Sequence, residues 1–184
     1  GKVVNQADMK NVQGMAKEAK DYYEATGEHP LWTNSMFSGM PSYVIYTGPG
    51  ANKIAYMNRV ITLWTPDPVN MLFLAMLCMY LLLCILDFKY WIRVMGAIAF
   101  AFCSYNVILI DVGHITKMYD IALMPAVLAG IVLTYRGRLL SGAALTALAT
   151  AMRSYNNQLQ IIYYTMIMVL CLAVGAFVHA YRDK

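Results

Sequence analysis

The residues whose types suit chemistry are few in this 184-residue chain, and they fall in separated polar stretches. Asp8 is the only carboxylate among the first seventeen residues. It suits either of two jobs. One is an N-cap for the helix that follows, worth about 1 kcal/mol; the other is a general base that activates an acceptor hydroxyl. Asp111-Val-Gly-His-Ile-Thr-Lys117 places ionisable groups at the end of an apolar run, where burial is expensive and a functional role is the default expectation. On a helix Asp111 and His114 lie one turn apart, as do His114 and Lys117. The cation pair His114 and Lys117 could hold a lipid phosphate; the plainer role is a solvated loop with Lys117 snorkelling. Arg153-Ser-Tyr-Asn-Asn-Gln-Leu-Gln160 is the next stretch. On a continuing helix Arg153, Asn157, Gln160 and Tyr164 share one face, which suits a bundle interior or a watery cavity. Hydrogen bonding between helices accounts for Asn157 and Gln160 equally well.

A further stretch, Leu31 to Tyr43, mixes aromatics, methionines and small hydroxyls around Gly39 and Pro41, with neither strand alternation nor helical period. It reads as a structured loop that lines a cavity or receives a ligand, or as one that dips its aromatics into the headgroup region. Other chemistries find no support. Cys78, Cys84, Cys103 and Cys171 lie inside apolar runs without CxxC spacing, as free buried thiols do. No compact His/Asp/Glu cluster has ligand spacing, so no structural metal and no cofactor are expected, with a catalytic divalent cation left open. The net charge of +4 is small, and no basic run interleaved with aromatics suggests nucleic-acid binding.

The elements that must position these groups follow from hydropathy. Hydrophobic residues make up 60% of the chain and charged residues 13%, and the apolar residues sit in long blocks after residue 68. A soluble domain would be about half apolar and a quarter charged. Crossing about 30 Å of hydrocarbon takes about 20 apolar residues in a helix. The expected fold is an all-α integral membrane protein with an extracytoplasmic segment, 1–67, ahead of a bundle, 68–184. About five spans are expected, near 69–86, 92–110, 118–135, 139–152 and 159–181. Asp67 and Pro68 suit the N-cap and first turn of the first. The fourth is short for a lone span, and its small residues suit close packing or a re-entrant segment.

Alternating loops place Lys89, Arg93, Arg136, Arg138, Arg182 and Lys184 on one side, and only Lys117 and Arg153 in the short loops of the other. The first side is expected to be cytoplasmic. Ahead of the bundle, Met9, Val12, Ala16, Ala19 and Tyr23 make one apolar stripe, which predicts a helix over 9–25. Such a helix lies on the membrane, on the bundle, or on its own small extracytoplasmic domain. The absence of an initiator methionine suggests a fragment of a longer protein.

The order of motifs resembles the YfhO-like bacterial membrane proteins, and most closely their Bacteroidetes-type members. The resemblance rests on Asp8, Lys17-Glu-Ala-Lys-Asp-Tyr-Tyr23, Thr26-Gly-Glu28 and Trp32-Thr-Asn-Ser-Met-Phe-Ser-Gly-Met-Pro-Ser-Tyr43. It continues through Gly113-His-Ile-Thr-Lys117, Leu133-Thr-Tyr-Arg-Gly137 and Asn157-Gln-Leu-Gln-Ile-Ile-Tyr-Tyr164. The family is longer at both ends, and Gln158 stands where a histidine is expected. YfhO-like proteins are similar to GT-C glycosyltransferases of the bacterial cytoplasmic membrane, which take a sugar from a polyprenyl-phosphate carrier. The resemblance implies that Asp8 deprotonates the hydroxyl of a cell-envelope acceptor. It also implies that His114, Lys117 and Arg153 steady the departing lipid phosphate. Trp32 and Tyr43 would stack on sugar faces, and Asn34 and Gln160 would bond hydroxyls. Two rival functions fit the same sequence: a transporter or flippase of a lipid-linked substrate, and a membrane scaffold or assembly protein.

Overall fold

The computed structural model describes residues 7–46, 54–156 and 158–182, apart from the side chains of residues 7–9 and 55. The chain is mostly helical. Two helices, α1 (Ala7–Met15) and α2 (Lys17–Thr26), stand in place of the single predicted one. The hydrogen-bond ladder still runs through the break, from Ala16 N to Val12 O and from Lys20 N to Ala16 O, both 2.9 Å. Only part of the predicted stripe is covered: Ala19 is buried and Val12 is exposed. The loop after α2 contains a minimal antiparallel pair, β1 (Trp32–Thr33) with β2 (Met40–Pro41), and a 3-10 turn, Ser42–Val44. Glu18 ties this hairpin to α2, accepting from Thr33 Oγ1 at 2.6 Å and from Asn34 N at 3.1 Å. Ser35 Oγ donates to Met15 O at 2.9 Å.

The bundle consists of α3 (Ile54–Ile61), α4 (Val69–Ile85), α5 (Tyr90–Ala101), α6 (Ser104–Val112), α7 (Ile115–Tyr135), α8 (Leu139–Asn156) and α9 (Leu159–Arg182). Three stretches are long and apolar enough to cross a membrane: Tyr90–Val112, Ile115–Tyr135 and Leu159–Arg182. The apolar α4 has 17 residues, so it reaches about 26 Å.

The expected second span is not one helix. Cys103 is extended between α5 and α6, and the buried Asn106 donates to the carbonyl of Phe100 at 2.8 Å. A side-chain amide thus replaces the backbone donor that the break removes from an apolar setting. α8 extends to Asn156, further than the 139–152 expected, and carries Arg153 in its last turn.

The core joins Met71, Leu74 and Cys78 of α4 to Met118, Ala122, Leu123 and Ala126 of α7 and to Ala149 and Met152 of α8. α7 and α8 touch through two glycines. A Cβ on Gly130 would meet the backbone N of Thr146 at 2.7 Å, and one on Gly142 would meet that of Thr134 at 2.6 Å. Thr134 and Thr146 bond the Gly130 and Gly142 carbonyls of their own helices at 2.9 Å each. Small residues permit this approach where lipid supplies no hydrophobic drive. With Asn156 bonded to Asp120, α8 runs back beside α7 over nearly its whole length.

Charge sorts the two ends of the bundle. At one, Arg136 bonds the Ile85 carbonyl and pairs with Asp87 at 2.8 Å, and Arg93 bonds the Phe88 carbonyl. At the other, Asn70 meets Tyr119 at 2.6 Å and Gln158 donates to Thr116 at 2.8 Å. The connections before α4, between α6 and α7 and between α8 and α9 thus meet at one end, and those between α4 and α5 and between α7 and α8 at the other.

Candidate functional site: a polar pocket at the end of the bundle

At the less basic end, α3 and the loop behind it close over the starts of α4 and α7 and the end of α8. Between them lies a cavity of about 380 Å³, within the size range of small-molecule sites. Its wall holds one carboxylate (Asp67), one guanidinium (Arg59), three amides (Asn58, Asn70, Asn156) and three aromatic rings (Trp64, Tyr119, Tyr155).

The wall is fixed by hydrogen bonds. Asn70 Nδ2 donates to Asp67 Oδ1 at 2.5 Å and lies 2.6 Å from the Tyr119 hydroxyl, which itself donates to Asp67 Oδ1 at 3.3 Å. One oxygen of Asp67 is thus held by two groups. Asp67 is not the expected N-cap: α4 opens at Val69 behind Pro68 with no side-chain cap. Thr62 donates to Asn58 O and Thr65 to Thr62 O, each at 2.7 Å, and these bonds pin the loop. Between them Leu63 and Trp64 both have φ 53, a left-handed conformation that costs a non-glycine residue about 1–2 kcal/mol. Such strain gathers at functional sites. The side-chain oxygens of Asn58 and Asn70 are buried without a partner, as acceptors open to a donor.

Behind Asn156 lies a second polar group. Asn156 Nδ2 donates to Asp120 Oδ1 at 2.9 Å. Asp120 is fully buried and Arg153 is 3% exposed; Asp120 Oδ2 and Arg153 Nε and Nη2 have no hydrogen-bond partner. An acid and a base are buried side by side in the bundle, linked to the pocket through one amide.

Protein-family models, curated proteins and solved structures give no match to this chain. What the site can do therefore rests on its own residues.

The backbone of Asp8 lies in the first turn of α1, which opens at Ala7, so it does not precede the helix as a cap would; its side chain lies outside the described residues. Trp32 and Tyr43 are exposed, and Trp32 packs over Gly39, where a Cβ would lie 2.6 Å from the indole nitrogen. Asn34 is exposed and uses its backbone N–H on Glu18. His114 and Lys117 are half-buried at the start of α7. They do not continue a helix from Asp111, because α6 ends at Val112 and Gly113 follows with φ 95.

The predicted stripe from Arg153 to Tyr164 is divided. Arg153 lies in the last turn of α8, Gln160 bonds Tyr164 at 2.9 Å on α9, and Asn157 lies outside the described residues. His114, Lys117, Arg153 and Gln160 thus share one end of the bundle, while Trp32, Asn34 and Tyr43 belong to the α2–hairpin unit. Arg59, Asn70, Tyr119 and Asp120 were not foreseen from the sequence. Asp120 carried a signal, since it is an ionisable residue inside an apolar run. Arg59 and Tyr119 carried none, because nothing in their spacing announces a pocket.

Proposed function

We propose that this chain is part of a membrane enzyme that moves a sugar from a polyprenyl-phosphate carrier to a cell-envelope acceptor at this pocket. One observation carries the reading: carboxylate, amide, guanidinium and aromatic groups converge at the end of a bundle with helices long and apolar enough to cross a membrane. Sugars present hydroxyls that donate and accept, together with flat C–H faces. Asp67 and the open oxygens of Asn58 and Asn70 accept from hydroxyls, and Trp64 or Tyr155 covers a ring face. Arg59 offers the positive charge that a leaving lipid phosphate requires, and Lys117, His114 and the buried Arg153 stand at the same end.

The catalytic carboxylate is Asp8 by resemblance, with Asp67 the carboxylate already in the wall. In the reaction the acceptor hydroxyl loses its proton to the carboxylate and its oxygen attacks the anomeric carbon. The carrier phosphate leaves with the bonding pair. The pocket face is then the outer face of the bacterial cytoplasmic membrane.

A second reading, movement of a lipid-linked substrate without chemistry, is favoured by the buried Asp120 and Arg153, since intramembrane ionisable groups mark transport paths. The test places the intact protein in proteoliposomes with a radiolabelled polyprenyl-phosphate sugar and follows both transfer to acceptor and movement between leaflets. Transfer that is lost in Asp8→Asn or in Asp67→Asn, with expression intact, supports the enzyme and names its base. Movement without transfer selects the transporter. Transfer unchanged in both variants removes both carboxylates from the mechanism.

A further inference from the structure

We infer that the hairpin over residues 31–43 is a membrane-surface contact: its apolar face rests in the headgroup region of the bilayer that the bundle spans. Leu31 is 85% exposed, Phe37 83%, Tyr43 68% and Trp32 57%. Four large apolar side chains exposed on so short an element are a density that soluble surfaces rarely carry without a partner.

Several of the hairpin's polar groups are used within the N-terminal unit. Thr33 and Asn34 engage Glu18, Ser35 engages Met15, and Ser42 Oγ donates to the Pro30 carbonyl. The exposed polar side chains beside the apolar ones, Asn34, Ser35 and Ser38, are uncharged. Phe37 and Ser38 have φ 51 and 60, so the backbone accepts a left-handed tip that leaves the Phe37 ring in the open.

Charge and tether identify the occupant. Residues 30–46 contain no Asp, Glu, Lys or Arg, so entry into a region of lower dielectric desolvates no ion. Tryptophan and tyrosine favour the membrane interface, with an apolar body and a polar tip. From Tyr46 to Ile54 of α3 the chain reaches at most about 28 Å when extended. α3 in turn packs Ile54 and Ile61 on the bundle core, with Tyr56 and Val60 exposed on it and Trp64 exposed in the loop that follows. The bilayer is therefore always within reach, and the tether makes a weak contact effectively intramolecular. This inference is independent of the sugar-transfer reading.

The test uses the intact protein in vesicles of ordinary or dibrominated phosphatidylcholine, with one tryptophan kept at a time. Trp64→Phe with Trp91→Phe leaves Trp32. Trp32→Phe with Trp64→Phe leaves Trp91, the lipid reference, exposed in the first turn of a candidate span. Bromolipid is expected to quench Trp32 to an extent comparable with Trp91, with little quenching by aqueous acrylamide. Quenching of Trp32 by acrylamide and not by bromolipid would overturn the inference, and so would shielding from both, which would mean that protein covers the patch. If the double variants fail to fold, a nitroxide at Ser38 in the protein with all three tryptophans probes the same contact. Collisions with oxygen exceeding those with an aqueous nickel complex support the contact, and the reverse ratio refutes it.

Discussion

Alanine at Gly130 or Gly142 is expected to destabilise the bundle, although alanine is the better helix former. In an open helical position the exchange gains roughly 1 kcal/mol. At Gly130 the new methyl would sit 2.7 Å from the backbone nitrogen of Thr146, against 3.4 Å for ordinary contact, so the helices must part by about 0.7 Å. At Gly142 the gap to Thr134 N is 2.6 Å and the shift about 0.8 Å. A backbone nitrogen cannot rotate aside as a side chain does, so the full overpacking cost of about 1–3 kcal/mol applies.

The net expectation is a loss of up to about 2 kcal/mol for either variant, after the propensity gain is subtracted. Both glycines serve one crossing, so the double variant loses less than the sum. Gly175 of α9 is the control, because a Cβ there meets nothing within 4 Å. Thermal unfolding in detergent, followed by circular dichroism, should give Gly175→Ala a midpoint at or above that of the parent, and Gly130→Ala and Gly142→Ala midpoints below it. Equal midpoints for Gly130→Ala and Gly175→Ala would refute the close crossing, and with it the packing of α8 along α7.

Three other outcomes follow from the same contacts. Asn156→Ala removes a donor bonded to the buried Asp120 and should lower stability by about 1–3 kcal/mol, measured by the same unfolding assay. Arg153→Met alone strands the carboxylate of the buried Asp120 and should lower the midpoint, whereas Arg153→Met with Asp120→Leu replaces acid and base together by apolar side chains, so there the midpoint should hold or rise. If Arg153 serves the substrate phosphate, turnover or lipid movement in proteoliposomes falls in that variant all the same. Thr33→Val removes the 2.6 Å bond to Glu18 and should speed proteolytic cleavage within the 27–46 segment, with the bundle fragments left intact.

Much of the bundle was legible because membrane helices obey a length rule. The expected third span, 118–135, and fifth, 159–181, lie within or close to α7 and α9. The break between Ala101 and Ser104 was not legible, because Asn106 supplies the missing donor from within an otherwise apolar run. The end of α8 at Asn156 divided a stripe that periodicity had made continuous, since a period cannot say where a helix stops. Contacts such as Arg136 with Asp87 and Gln158 with Thr116 show which connections share an end of the bundle. The pocket was the least legible feature. Arg59, Asp67, Asn70 and Tyr119 come from α3, the loop after it and the starts of α4 and α7, and packing between distant segments brings them together. The aromatic loop stood out by its composition, which equally suits a ligand and a bilayer.

The central claim is that the N-terminal hairpin, the start of α7 and the α8–α9 turn share one side of the membrane, opposite Arg136 and Arg138. Single cysteines at Ser38, Thr116 and Arg138 of the intact protein, probed with a membrane-impermeant maleimide before and after permeabilisation, test it directly. The account predicts that Ser38 and Thr116 react together on one side while Arg138 reacts only from the other. Ser38 and Thr116 labelled from opposite sides would contradict it.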